Sequence, residues 1–199
     1  LDHLISQKIT TVIISIGYLG AIIKSHFGTK YKNLEIKYIE EQTPLGTGGA
    51  IKRVIQSAII TEKTFILLNG DTYFNFDKFA LQDCMLRTNA DIVVSLKNQS
   101  GERYSNVELD SQSKIIGFNV NDGSSTLINC GTYILDVSNV KKILAKFGQT
   151  FSFENSVLIN KGEKLKIYGL IEESTFFDIG VPVDYQRFVN FAYLKQIRE

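Results

Sequence analysis

Apolar residues along this chain recur in two alternating rhythms. Residues 9–16 (ITTVIISI) are a nearly unbroken β-branched run, the pattern of a strand covered on both faces. Residues 18–27 then place Leu19, Ile22, Ile23 and Phe27 on one helical face, and Gly28 supplies a stop. Residues 34–39 alternate as a second strand. Ile51, Val54, Ile55 and Ala58 follow the i, i+3, i+4, i+7 spacing of an amphipathic helix over about residues 47–60. Apolar runs at 65–68 and 91–96 predict a third and a fourth buried strand. Strands alternating with helices at this spacing predict an α/β fold, doubly wound about a mainly parallel sheet.

The second half changes character. Residues 107–109, 114–120 and 126–135 read as short strands separated by Gly, Asn, Asp and Ser, which predicts antiparallel pairing, and Asn121-Asp122-Gly123 is a strong turn signal. Helical faces return at Val140, Ile143, Leu144 and Phe147, and again at Tyr185, Phe188, Val189 and Ala192. The last helix is expected either to complete the core or to pair with a second subunit in a homodimer. No linker, repeat or low-complexity tract interrupts residues 1–199, so one domain is the simplest organisation.

Composition removes several function classes. Lys and Arg number 22 against 21 Asp and Glu, a formal net charge of +1, without any charged block. That leaves no bulk electrostatic case for nucleic acid or a membrane surface. The two cysteines, Cys84 and Cys130, show neither a disulfide framework nor zinc-ligand spacing, and His3 and His26 lack ligand-type neighbours. No apolar run approaches the roughly 20 residues of a membrane span, and no signal peptide is visible. A cytoplasmic location is expected.

Three segments could carry chemistry. Glu41-Gln-Thr-Pro-Leu-Gly-Thr-Gly-Gly-Ala50 lies between a strand and a helix, where glycines let backbone N–H groups approach a ligand. It is neither a Walker loop nor a G-x-G-x-x-G turn, and it could equally be a tight strand-to-helix turn. Asn69-Gly70-Asp71 follows the run 65–68 directly. A carboxylate at the end of a central strand sits where open α/β sheets bind ligands, and it is a natural Mg²⁺ donor. Phe176-Phe177-Asp178-Ile179-Gly180 ends a second apolar stretch in Asp just before a helix. Asp178 is either an N-cap or a second carboxylate for one metal-phosphate site.

The ordered set PLGTGGA (residues 44–50), LLNGDTYF (67–74), NCGTYILD (129–136) and FDIGVP (177–182) resembles the sugar-1-phosphate nucleotidyltransferases across essentially the whole chain. The resemblance implies a Rossmann-like three-layer sandwich with a mixed, mainly parallel central sheet. It implies that Asp71 and Asp178 are the catalytic residues and hold Mg²⁺. It further implies that Glu41, Pro44, Gly46, Thr47 and Gly70 bind the nucleotide, while Gly117, Asn129 and Glu154 contact the sugar. GTP is the implied nucleotide, with a heptose 1-phosphate as acceptor and mannose 1-phosphate as the alternative, in the synthesis of bacterial surface carbohydrate.

Residue chemistry leaves parallel readings beside these roles. Glu41, an acceptor-only carboxylate, suits the adjacent N1–H and N2–H donors of guanine, a match worth about 1–3 kcal/mol of discrimination; it could equally be a solvated loop residue. Asn129 could simply stabilise a turn and Glu154 begin a helix. Phe176 stands where relatives commonly carry Trp, which keeps an aromatic wall. The family's G-G-x-G-T-R loop and downstream P-K-P are nowhere in this sequence. Because the chain opens on Leu1 in what reads as mid-helix, an upstream stretch carrying that loop is expected. A non-catalytic nucleotide- or sugar-binding relative lacking the loop, and an unrelated dinucleotide-binding α/β enzyme, are the competing classes.

Overall fold

A computed structural model describes residues 1–99, 106–118, 125–159 and 165–198, with side chains to residue 194. Packing divides the chain into two compact units, each made of two separate stretches: 1–65 with 136–165, and 66–135 with 166–199.

The first unit opens with α1 (Asp2–Ser6), β1 (Thr11–Ile16), α2 (Gly20–Phe27), β2 (Lys30–Tyr31) and β3 (Leu34–Glu40). β1 pairs in parallel with β3, Val12 opposite Ile36 and Ile14 opposite Tyr38, and β2 runs antiparallel to β3. The expected apolar face of α2 is not its buried face. Leu19 and Ile22 stand 53% and 62% exposed. The helix rests on β1 through Gly20, where an added Cβ would meet the Ile16 side chain at 3.1 Å, and a residue two positions on points away from such a contact. α3 (Gly46–Gln56) buries Gly48, Gly49, Ile51 and Ile55, ending four residues before the expected boundary. α5 (Val137–Leu144), after the intervening elements of the second unit, buries Val140 and Leu144 and is capped by Asp136, which accepts from Asn139 N. A single π-helical stretch, Glu154–Ile159, follows.

The second unit holds β4 (Thr64–Leu68), β5 (Thr72–Phe74), α4 (Lys78–Thr88), β6 (Ile92–Asn98), β7 (Val107–Leu109), β8 (Ile115–Phe118), β9 (Leu127–Asp136), β10 (Ile167–Ile171), β11 (Phe176–Asp178) and α6 (Pro182–Arg198). Its main sheet has the order β10-β6-β9-β4. β10 is parallel to β6, whereas β9 is antiparallel to it. The sheet is therefore mixed as expected, with more antiparallel neighbours among the described pairs than a mainly parallel sheet implies. The chain returns from β6 to β9 through the β7–β8 ribbon instead of a helical crossover, and that route permits reversal. The turn signal at residues 121–123 lies outside the described residues. The core is dense: Ile92, Val93, Val94 and Leu96 of β6 and Ile128, Tyr133 and Leu135 of β9 are all fully buried.

α6 turns a different face inward from the one its periodicity suggests. Phe188 and Phe191 pack against Tyr73 of β5 and Phe177 of β11, with ring centroids 5.0 to 6.0 Å apart. Tyr185 and Val189 are exposed. The aromatic quartet outweighs the aliphatic positions because flat rings bury more area and gain specific edge contacts. No described helix is long and apolar enough to cross a membrane.

Candidate active site

Two constellations carry the residues singled out above, one in each unit. In the first unit, β3 delivers Glu41 directly into the glycine-rich turn. Its carboxylate is held at both oxygens: Oε1 accepts from Ser15 Oγ at 2.7 Å and Oε2 from the Leu45 N–H at 3.0 Å. Glu41 is thus half-buried and organises its own loop, while Pro44 and Gly46 are exposed on the turn.

The glycines of this turn have a different physical job from the one that sequence suggests. The Gly48 N–H donates to Phe151 O at 2.9 Å, and the Gly49 N–H to the same oxygen at 3.4 Å. A Cβ on Gly48 would stand 2.2 Å from the Phe151 ring, and one on Gly49 2.2 Å from Gln149 O. Gly46 adopts φ +69° beside Phe151 O. Small residues here admit the 149–151 segment against the start of α3, and the helix's early donors are used by protein. Lys52, buried in the same helix, anchors that segment by donating to Phe147 O at 2.7 Å and Gly148 O at 3.2 Å.

Thr47 and Glu154 meet. Thr47 Oγ1 donates to Glu154 Oε2 at 2.6 Å and accepts from the Phe153 N–H at 2.8 Å, while Ser152 Oγ donates to the same carboxylate oxygen at 3.1 Å. A nucleotide-segment hydroxyl and a sugar-contact carboxylate therefore share one hydrogen bond.

In the second unit, the two aspartates converge. Asp71 follows β4 by three residues and immediately precedes β5; Asp178 ends β11. The two short strands pair antiparallel with Thr72 opposite Asp178. A Cβ placed on Gly180 would lie 3.3 Å from Asp178 Oδ1 and 3.6 Å from Asp71 Oδ2, so both carboxylates border one small space. Asp178 does not serve as a helix cap: its carboxylate makes no hydrogen bond among the described residues, and only its backbone oxygen accepts, from Val181 N at 3.4 Å. Thr72 Oγ1 leans on Asp71 Oδ1 at 3.5 Å. Gly70 is exposed with open space where a side chain would go, so it is not the hairpin corner that Asn-Gly suggests.

Two oxygens from two carboxylates, with no group of three or more His, Cys, Asp or Glu among the described residues, fit a hard ion that takes its remaining ligands from water and phosphate. Mg²⁺ behaves so; a closed tetrahedral zinc site needs more donors.

Asn129 is committed locally. Its Nδ2 donates to Tyr133 Oη at 2.9 Å and its Oδ1 accepts from the Gly131 N–H at 3.0 Å. Gly117 sits in β8 opposite Glu108. Sequence reasoning passed over Gly131 and Asn69. Gly131 takes φ +66° at the irregularity in β9, and a Cβ there would touch Asn69 Nδ2 at 2.9 Å, while Asn69 N donates to Gly131 O at 2.9 Å. This contact fixes the start of the Asp71 loop. An isolated Gly within a strand pattern was the available signal, because it marks a bulge or a close backbone approach.

An α/β fold bearing such a pair beside a short antiparallel ribbon matches one family. A model described as nucleotidyl transferase covers residues 1–192, and the chain belongs to that family. Its relatives include the D-glycero-alpha-D-manno-heptose 1-phosphate guanylyltransferase of Aneurinibacillus thermoaerophilus, 35% identical over 93% of this chain and 79% of the relative. The enzyme of the same description from Campylobacter jejuni subsp. jejuni is 35% identical over 94% of this chain and 81% of its own length. Among solved structures, HddC from Yersinia pseudotuberculosis has a TM-score of 0.79 at 31% identity, covering 94% of this chain and 80% of that one. A second HddC structure, complexed with GMP-PN, has a TM-score of 0.75 at 30% identity, with the same coverage.

Proposed function

We propose that this chain transfers the guanylyl group of GTP to a sugar 1-phosphate, D-glycero-α-D-manno-heptose 1-phosphate first among candidates, with release of pyrophosphate. The observation that carries this reading is the convergence of Asp71 and Asp178 beside Gly180. The named activities of the 35%-identical relatives and the GMP-PN complex of HddC support the choice of nucleotide and acceptor.

In this reaction a phosphate oxygen of the sugar 1-phosphate attacks the α-phosphorus in line. The bond from the α-phosphorus to the bridging oxygen breaks, and pyrophosphate leaves with the electron pair. Asp71 and Asp178 would hold Mg²⁺. That ion, when bound, offsets the charge on the phosphates and on the departing pyrophosphate. Glu41, pinned by Ser15 and the Leu45 N–H, keeps a further lone pair on each oxygen. A carboxylate fixed in this way is a ready acceptor for the two adjacent donors of guanine and a poor partner for a base that presents an acceptor there. Glu154 and Asn129 are the sugar-side groups in this reading.

The test is a panel of nucleoside triphosphates against sugar 1-phosphates, read by pyrophosphate release. GTP with heptose 1-phosphate should release pyrophosphate fastest, and mannose 1-phosphate should be the runner-up acceptor. Release with UTP or dTTP but not GTP would overturn the role given to Glu41. No release with any pair would overturn the enzyme reading.

A further inference from the structure

Asp178 reaches its place by an indirect route. β10 ends at Ile171, and residues 172–175 carry the chain out of the main sheet into the β5–β11 ribbon. Four ties fix this connector. The Glu172 N–H donates to Leu96 O at 2.8 Å, and Asn75 N donates to Thr175 O at 3.0 Å. Glu172 Oε1 accepts from the Asp77 N–H at 2.9 Å, at the head of α4. Lys97 Nζ donates to Ser174 O at 2.6 Å.

Lys97 is the unusual member. It lies near the end of β6 opposite Ile128, with its side chain 20% exposed, and its only carboxylate neighbour among the described residues is the exposed Glu173 at 4.0 Å. A lysine in that position has no strong ion pair to keep it there; its ammonium is given to a backbone carbonyl. Such a charge-assisted bond is stronger than a neutral one and fixes the carbonyl's direction. Ser174 is four residues from Asp178, and the ribbon between them is only three residues long. A short two-stranded ribbon has little stability of its own, so its position follows from what anchors its ends.

The geometry points to Lys97 as a positioning residue for the metal pair: by clamping Ser174 it holds Asp178 facing Asp71. This rests on the reading of Asp71 and Asp178 as the Mg²⁺ ligands. Lys97 itself touches neither nucleotide nor sugar. Metal-site supports of this kind change affinity by roughly 10-fold or more when removed, since displacement of a ligand by a fraction of an ångström already spoils the site.

The experiment titrates Mn²⁺ alone, as an EPR-visible stand-in for Mg²⁺, into the full chain and its variants, beside thermal unfolding. Asp71→Asn should abolish the Mn²⁺ binding that the wild type shows. Lys97→Met should weaken it roughly 10-fold, with Lys97→Arg restoring most of it. Lys97→Gln, polar but too short to reach Ser174, should behave as Lys97→Met does and serves if the methionine variant does not fold. Activity assays should show the same variants needing more Mg²⁺ while the GTP KM at saturating Mg²⁺ is unchanged. If Asp71→Asn binds Mn²⁺ like the wild type, the metal pair is wrong and the clamp falls with it. If Asp71→Asn loses the ion but Lys97→Met and Lys97→Gln bind it normally, the pair stands and the role of Lys97 is overturned.

Discussion

Thr72 and Asp178 face each other across a two-stranded antiparallel ribbon. Because Asp71 adjoins Thr72, this one register brings a carboxylate from the exit of β4 and a carboxylate from the end of β11 to the same side of Gly180. Neither residue is needed to hold the ribbon together, since the aromatic quartet of Tyr73, Phe177, Phe188 and Phe191 does that. The pair is therefore free for ligand chemistry.

Replacing either carboxylate with its amide separates chemistry from folding. Asp71→Asn and Asp178→Asn should each lower kcat by about 100-fold or more, as removal of a pre-aimed charge does. Their urea unfolding curves should stay within about 0.5 kcal/mol of the wild type, as for surface changes that break no packing. Near-normal pyrophosphate release by Asp71→Asn would remove the site.

The glycines of the turn into α3 should respond very differently from Gly70. On helix propensity alone Gly48→Ala would gain about 1 kcal/mol. The Phe151 ring occupies the space of the new methyl group, so a net loss of about 1–3 kcal/mol is expected from overpacking. Gly49→Ala should cost at least as much, since the obstacle there is the Gln149 carbonyl, which belongs to the backbone. Gly70→Ala meets nothing within 4 Å and should be neutral or stabilising by about 0.4–1 kcal/mol. Denaturant midpoints of the three variants decide the matter; equal effects would mean that the 149–151 segment does not pack as described.

Glu172 gives folding a pH dependence of definite sign. Burial raises its carboxyl pKa above the ordinary 4.5, and the Asp77 N–H opposes the shift without cancelling it. The folded chain thus favours the protonated acid. Its contribution is fully present below pH 4.5 and is lost as pH rises through the raised folded value. Glu172→Gln keeps an oxygen for the Asp77 N–H but cannot ionise. Relative to this variant, the wild type should lose unfolding free energy steadily from pH 4 toward neutrality in urea titrations. A difference that is flat, or that grows in favour of the wild type, would place Glu172 in a solvated setting.

Much of this protein was legible residue by residue. The β-branched run before Gly17, the alternation at 34–39 and the apolar stretch before Asn69 each became a strand within two residues of the expected bounds. The start and stop of α3 and α6 followed from glycine and proline. These signals are local: a helix or strand declares its period within a few residues because backbone hydrogen bonding and side-chain direction repeat over that distance. The two aspartates were visible for the same reason, as acids at the ends of apolar runs.

What the tertiary structure alone decided were the meetings between distant segments. β5 reads as an irregular stretch because three residues are too few for a period; it is a strand only because β11 lies beside it. The glycines of the α3 turn look like a cradle for a ligand until Phe151 is seen filling the space. Asn129 looks like a free amide until Tyr133 and Gly131 take both its ends, and the inward face of α6 is chosen by Tyr73 and Phe177. Each outcome is a competition among contacts separated by many residues, settled by packing and chain closure. No local pattern encodes the result of such a competition, whereas the rhythm of strands and helices is written in neighbours.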